Sequence, residues 1–284
     1  MEIKLFATDL DGTLLTNDDN ISEGNIKAIK DAVDAGVMVT FATGRMYSSA
    51  VKYAAQAGLD VPLITYNGAL IKSTAGKIYF ESCIEPAVVS AFVRYCAQKH
   101  WYVQVNSDDK LYFPEYLQRS ISYEKSVGIE GKTIGWEALE RKNRNVTKLL
   151  FVLENFANPD APEKAINEDE IISEMMEKFA EKVTLVKSKK GLIEVINPGV
   201  SKASALDVLA KQMGITIDEV MAIGDADNDL PMLRAVGKSV AMGNAARHIQ
   251  DVCDYVVNDN ENDGVAEAIY RYVLKKAYIH KRCF

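Results

Sequence analysis

The stretch K-L-F-A-T-D-L-D-G-T-L-L, Lys4–Leu15, decides how the chain is read. An apolar run of the buried-strand kind ends in two aspartates two residues apart, then a glycine and a threonine. Side chains on a strand alternate faces, so strand geometry carried through this stretch sends Asp9 and Asp11 off the same side. Two carboxylates that close repel, and one is driven to hold its proton unless a cation stands between them. Asp and Gly are also ordinary turn residues, so a plain strand-to-loop turn accounts for D-L-D-G-T taken by itself. The rest of the chain separates the two readings.

Residues 3–83 alternate strand and helix patterns. IKLFATDL (3–10) reads as a buried strand. Ser22 caps a helix with Ile26, Ile29 and Val33 on one face, and Gly36 follows its end. VMVTFATG (37–44) is a second buried strand, 46–57 a helix, PLITYNGA (62–69) a third strand, and ALIKSTAGKIYFES (69–82) a hairpin around Ala75-Gly76. From residue 84 the texture changes to short aromatic strands, WYVQVNS (101–107) and LYFPEY (111–116), and to the alternating NVTKLLFVL (145–153). A loop at Asn158–Pro162, an acidic helix near 163–181, and VTLVKS (183–188) follow. Strand–helix alternation then returns, with a helix over 202–213 and the strand EVMAIGD (219–225). The pattern predicts an α/β fold: a Rossmann-like, doubly wound, mostly parallel sheet core at 1–83 and 192–284, interrupted by an inserted α+β cap domain at 84–191.

The bulk numbers narrow the function. At 284 residues and 48% hydrophobic the chain builds a large core. A net charge of −7, with acid and base spread along the chain, argues against a general nucleic-acid binder and suits a small anionic ligand held by a few local cations. No apolar run reaches ~18 residues, so no membrane span is expected. The start MEIKLFATDL lacks the pattern of a signal peptide, and Cys83, Cys96, Cys253 and Cys283 form no C-x-x-C pair. A reducing, cytoplasmic setting is the expectation. His100, His248 and His280 share no metal-ligand spacing.

Ligands of parallel α/β sheets bind beyond the carboxyl ends of the strands. There the sequence places Asp9 and Asp11, then Thr43, Gly44 and Arg45 of A-T-G-R, then Asn67 of Y-N-G-A, then Asp225, Asp227, Asn228 and Asp229 of G-D-A-D-N-D. Lys202 stands at a helix start with Ser201 as its cap. Carboxylates are hard oxygen ligands suited to Mg²⁺, while hydroxyl, amide and ammonium groups donate to phosphoryl oxygens. One aspartate can serve as nucleophile and a second as acid and base.

The set DLDGT (9–13), ATGR (42–45), GVSK (199–202) and GDADND (224–229), in this order, resembles the haloacid dehalogenase-like phosphohydrolases. The insertion between the second and third motifs, together with YNGA (66–69) and MGNA (242–245), is similar to the Cof-type subfamily with its α+β cap. The resemblance implies an Mg²⁺-dependent phosphatase of small phosphorylated metabolites, sugar phosphates among them, working through an aspartyl-phosphate. It implies Asp9 as nucleophile and Asp11 as acid/base. It also implies Mg²⁺ held by Asp9, the Asp11 carbonyl and Asp225, with Asp229 behind them. Thr43 and Lys202 match phosphoryl-binding positions and Asn228 a phosphate contact. Gly44, Arg45 and Asn67 are further candidate substrate contacts. A phosphomutase or phosphotransferase sharing the first half-reaction, and a non-catalytic phosphometabolite sensor, are the alternatives.

Two look-alikes fail. GIEGKT (128–133) has the end of a phosphate-binding P-loop, but Ser126 stands where its first glycine is needed. Asp225, Asp227 and Asp229 mimic a calcium loop, but Leu230 and Val236 occupy its glycine and glutamate positions. The insert's aromatics Trp101, Tyr102, Tyr112, Phe113 and Tyr116 either line a pocket or build its core, and their alternation favours the core.

Overall fold

The computed structural model describes residues 2–153, 168–189 and 191–276. The loop expected at Asn158–Pro162, residues 163–167 of the acidic helix, and the tail with His280 and Cys283 lie outside the described residues. In chain order, the first segment holds β1 (Leu5–Thr8), α1 (Glu23–Asp34), β2 (Met38–Phe41), α2 (Tyr47–Ala57), β3 (Pro62–Thr65), β4 (Leu70–Ser73) and β5 (Ile78–Glu81). Next come α3 (Pro86–Lys99), β6 (Val103–Ser107), β7 (Lys110–Phe113), α4 (Gln118–Val127), β8 (Gly131–Thr133) and α5 (Trp136–Arg141). They are followed by β9 (Val146–Val152), α6 (Glu168–Phe179), β10 (Thr184–Lys189) and β11 (Leu192–Ile196). The last segment holds α7 (Lys202–Met213), β12 (Val220–Gly224), α8 (Leu230–Ala235), β13 (Lys238–Ala241), α9 (Arg247–Gln250), β14 (Tyr255–Val256) and α10 (Gly264–Ala268). No described helix is long and apolar enough to cross a membrane.

The chain forms two compact units. One comprises Met1–Gly44, Ala50–Phe80 and the residues from Ser201 on; the other comprises Arg45–Ser49 and Glu81–Val200. The first contains a five-stranded sheet in the order β14-β13-β12-β1-β2, parallel throughout. A bridge between Ala42 and Ile64 ties β2 to β3, which turns back through β4 and β5. The chain therefore steps outward from β1 to β2, then returns to the other flank of β1 through β12 and moves outward again. This is the doubly wound arrangement, and its switch point lies at the end of β1. Leu5 and Ala7 pack with Leu206 and Leu209 of α7 and with Val220 and Ala222 of β12. Phe6 and Thr8 are also fully buried on the opposite parity, as expected of a strand covered on both faces.

Strand β1 stops at Thr8. Residues Leu10–Leu14 form a tight turn in which Asp11 is extended and Gly12 has φ +77°. Strand alternation thus reaches Asp9, on the α7 side with Leu5 and Ala7, but does not extend to Asp11. The expectation that both side chains leave one strand face is corrected by this turn, which sets Asp11 by its own geometry.

The second unit is built on a six-stranded sheet in the order β10-β11-β9-β6-β7-β8, antiparallel except for the β7–β8 pair. Strand β11, expected in the core from residue 192, pairs with β9 and β10, so this unit runs on to Val200. Trp101 packs with Phe92, Phe151 and Phe179 in an apolar core that also takes Val103, Val105 and Val195. Tyr112 packs against that core, and Tyr116 is exposed. The G-K-T of the P-loop look-alike is simply the edge strand β8.

Candidate active site

Four side chains from three separated stretches converge at the end of β1. Asp9 is buried, its backbone N–H donating to the Ile223 carbonyl of β12 at 3.1 Å. The Lys202 ammonium, fully buried at the first position of α7, donates to Asp9 Oδ1 at 2.7 Å and to Asp229 Oδ1 at 2.6 Å. A lysine at a helix start opposes the helix dipole, so these two carboxylates are what hold it there. Ser201 caps α7 by accepting the Ser204 N–H at 3.1 Å, which fixes the helix end that carries the lysine. Asp229 Oδ2 accepts the backbone N–H groups of Asp225 and Ala226, both at 3.1 Å, and so shapes the loop after β12. Asp225 is held by the Thr13 hydroxyl, which donates to its Oδ1 at 2.6 Å.

Asp9, Asp225 and Asp229 each bring a carboxylate oxygen within 4.8 Å of the others. Asp11 is not in that trio, though its charge reaches Asp9 and Asp225. Burial pushes the Asp9 carboxyl well up from its ordinary value; Lys202 pulls it back, and Asp229, Asp225 and Asp11 push it further up. Burial likewise raises Asp225 to about 6, against the Thr13 hydrogen bond and with Asp229 adding repulsion. Burial alone would lower the Lys202 ammonium, but Asp229 and Asp9 hold it above its ordinary value. Four carboxylates around one ammonium leave surplus negative charge, and three of them are hard oxygen donors in one place. That donor set fits a divalent cation.

Gly12 makes the close approach possible. A Cβ there would meet Asp225 Oδ2 at 2.5 Å, on a residue already at positive φ. Gly12→Ala is expected to destabilise the protein by about 1–2 kcal/mol from the backbone alone and to displace Asp225 from Thr13. A shift in urea midpoint together with weakened divalent-cation binding by calorimetry would show both effects; unchanged binding would mean that Asp225 tolerates the intrusion.

The remaining sequence-predicted residues divide into two groups. Thr43 is buried at the end of β2, its carbonyl accepting the Asn67 N–H at 3.0 Å. Tyr66 and Asn67 both adopt left-handed φ of 53°, a strained arrangement for two successive non-glycine residues. Gly68, at φ +104°, lets this loop lie against the Ser201 carbonyl, where any Cβ would collide. Asn67 Oδ1 then accepts from Asn228 Nδ2 at 3.2 Å, which brings two predicted substrate contacts together. Gly44 is the last residue of its segment in the core unit. Arg45 is buried and groups with the inserted unit, where its charge falls on Tyr123 of α4. Sequence reasoning gave no role to Thr13, which grips Asp225, or to Asn244, whose amide donates to the Gly12 carbonyl at 2.8 Å. Both lie inside quoted motifs, DLDGT and MGNA, but their partners are more than two hundred residues away in sequence.

A family model of the haloacid dehalogenase-like hydrolases matches residues 6–269. The chain belongs to this family. Among its relatives, the Bacillus subtilis 5-amino-6-(5-phospho-D-ribitylamino)uracil phosphatase YcsE is 30% identical, over 96% of this chain and 97% of that protein. Phosphatase YwpJ of the same organism is 29% identical over 93% and 98%. The crystal structure of TM0651 from Thermotoga maritima superposes with a TM-score of 0.80 at 28% identity, covering 95% of this chain and 97% of that one. This haloacid dehalogenase-like hydrolase is a Cof-type phosphatase of small phosphorylated compounds. Its parallel core and additional cap elements match the architecture expected from the motifs.

Proposed function

We propose that this phosphatase hydrolyses phosphate monoesters of small polar metabolites, sugar phosphates first among them, through an aspartyl-phosphate on Asp9 and with Mg²⁺ as its cation. The observation that carries the reading is the buried Asp9 carboxylate, tied by one oxygen to Lys202 and flanked by Asp225 and Asp229. A buried carboxylate with an ammonium on one oxygen is oriented to attack through the other. YcsE, by its name, acts on a phosphorylated ribityl compound. A hydroxyl-rich leaving group is consistent with that relative.

In this reading Asp9 attacks phosphorus, and the bond from phosphorus to the ester oxygen breaks. The leaving alcohol takes its proton from the Asp11 carboxyl. Asp11, now ionised, accepts a proton from the water that attacks the aspartyl-phosphate, and inorganic phosphate leaves with Asp9 restored. Lys202, the Thr43 hydroxyl and the Asn228 amide hold phosphoryl oxygens through both steps. Asn67 fixes the Asn228 amide. Asp9, Asp225 and the Asp11 carbonyl, with Asp229 behind them, would hold Mg²⁺, which would supply positive charge against the phosphoryl oxygens.

The test is phosphate release from a panel of sugar, polyol and nucleoside monophosphates, with Mg²⁺ and after chelation. Chelation is expected to cut turnover by on the order of 10²-fold or more, and Mg²⁺ to restore it. Isomerised sugar phosphate without free phosphate would sink the hydrolase reading in favour of a mutase.

A further inference from the structure

Asp9 is placed by the end of a strand, whereas Asp11 is placed by the turn Leu10–Leu14. The Leu15 N–H closes that turn by donating to the Leu10 carbonyl at 2.9 Å. The residue after Asp11 is Gly12, at φ +77°, and glycine has the widest backbone freedom of any residue type. The joint beside the candidate acid and base is thus the softest in the turn, and its direction has to be set from outside.

Two loops from the far end of the chain set it. Asn244, in M-G-N-A after β13, donates from Nδ2 to the Gly12 carbonyl at 2.8 Å. Its Oδ1 accepts the backbone N–H of Asn260 at 3.2 Å. A backbone N–H only donates and a carbonyl only accepts, so these contacts decide which end of the amide faces Gly12. Asn260 is buried and extends the line, donating from Nδ2 to the Leu15 carbonyl at 3.0 Å and to Asn17 Oδ1 at 3.2 Å. The loop that carries Asn244 is itself braced. Gln250 of α9 donates from Nε2 to the carbonyls on either side of it, Gly243 at 3.2 Å and Ala245 at 2.9 Å. The Gly243 N–H donates to the Asn258 carbonyl at 3.2 Å and joins this loop to that of Asn260. All of these residues belong to the first unit.

Asn244 is exposed, yet both ends of its amide are engaged by backbone groups of two remote segments. Holding the Gly12 carbonyl fixes the plane of the Gly12–Thr13 peptide. On the other side the Asp9 N–H is bonded to the Ile223 carbonyl, so the short stretch that carries Asp11 is held at both ends. We propose that Asn244 is a positioning residue for Asp11, keeping its carboxyl where it passes a proton to the leaving oxygen, with Asn260 and Gln250 orienting the amide. The proposal rests on the phosphatase reading above, in which Asp11 is the acid and base. A proton donor works only within hydrogen-bond reach of its acceptor, so a turn that wanders loses the transfer while the phosphoryl contacts remain.

The test compares wild type with Asn244→Ala and Asn244→Asp. The aspartate keeps an acceptor for the Asn260 N–H and loses the donor to Gly12. Two esters are used: the sugar or polyol phosphate that wild type cleaves fastest, and p-nitrophenyl phosphate. An alkoxide needs a proton in order to leave, whereas p-nitrophenolate leaves as a stable anion. In both variants kcat/KM for the alkyl ester is expected to fall by on the order of 10- to 100-fold, with p-nitrophenyl phosphate changed less than about 3-fold. Equal losses on both esters would overturn the proposal, since a general distortion of the site affects both. Unchanged rates on both would overturn it too. So would wild-type rates in Asn244→Asp beside impaired Asn244→Ala, because the bond to the Gly12 carbonyl would then be irrelevant. If wild type cleaves no alkyl phosphate, the phosphatase reading fails instead, and hydrogen exchange decides whether the clamp exists. The amides of residues 10–15 are expected to exchange on the order of 10-fold faster in Asn244→Ala, with those of β12 unchanged. Equal protection of residues 10–15 in the two proteins would overturn the clamp as well.

Discussion

Asp9→Asn is expected to abolish phosphate release while leaving the protein folded. The amide is nearly isosteric and its Oδ1 can still accept from the Lys202 ammonium that lies 2.7 Å from the carboxylate. It has no anionic oxygen with which to attack phosphorus. Loss of a nucleophile that nothing nearby replaces costs on the order of 10⁴-fold or more in kcat. Stability should not fall, because the substitution removes one of the carboxylates that repel each other around Lys202. Phosphate release at saturating substrate, read beside a thermal melt, checks both halves. Residual turnover within tenfold of wild type would place the nucleophile elsewhere, with Asp11 the next residue to test. An unfolded variant would instead show that the Asp9 charge is needed as a partner for Lys202.

Lys202→Met should have the largest effect on stability. It leaves Asp9 and Asp229 buried with their shared cation gone, and breaking a buried pair from one side costs about 3–5 kcal/mol. The pH dependence has a definite sign. In wild type the folded-state value of Lys202 lies above its ordinary value, so its contribution is complete at neutral pH and fades only as alkaline pH approaches that raised value. In the variant Asp9 loses the counter-charge that pulled its raised value back, so its folded-state value lies further above the unfolded one and folding worsens as pH rises. The deficit against wild type should therefore be greater at pH 7 than at pH 5. Urea midpoints at the two pH values, in buffer without divalent cation, measure this. A deficit independent of pH would mean that lost packing, not lost charge, explains the variant.

Much of the site was legible because its residues follow strands. Asp9, Thr43 and Asp225 each end an apolar run, and in a parallel sheet such ends share one edge, so four short motifs were enough to collect them. Asp11 shows the limit of that reasoning. Alternation holds only while the backbone remains extended, and the turn that starts at Leu10 removed it from the strand before its side chain was placed. Arg45, one residue past Gly44, shows another: its motif says nothing of its grouping with Glu81–Val200, a segment remote in sequence.

What the amino-acid sequence determined by itself was the order of buried strands and helices, the doubly wound core they imply, and the residue types at the strand ends. These are local properties: continuous apolar runs mark strands covered on both faces, and turn residues mark where they stop. Tertiary structure alone decided which charges meet. Lys202 bridges two aspartates 193 and 27 residues away, and Thr13 reaches Asp225 across 212 residues. It alone also decided the character of the cap. V-Q-V-N-S and N-V-T-K-L-L alternate as strands with one wet face do, yet Gln104, Asn106 and Lys148 are buried. Alternation says which side chains share a face, but burial depends on what the rest of the chain lays over it.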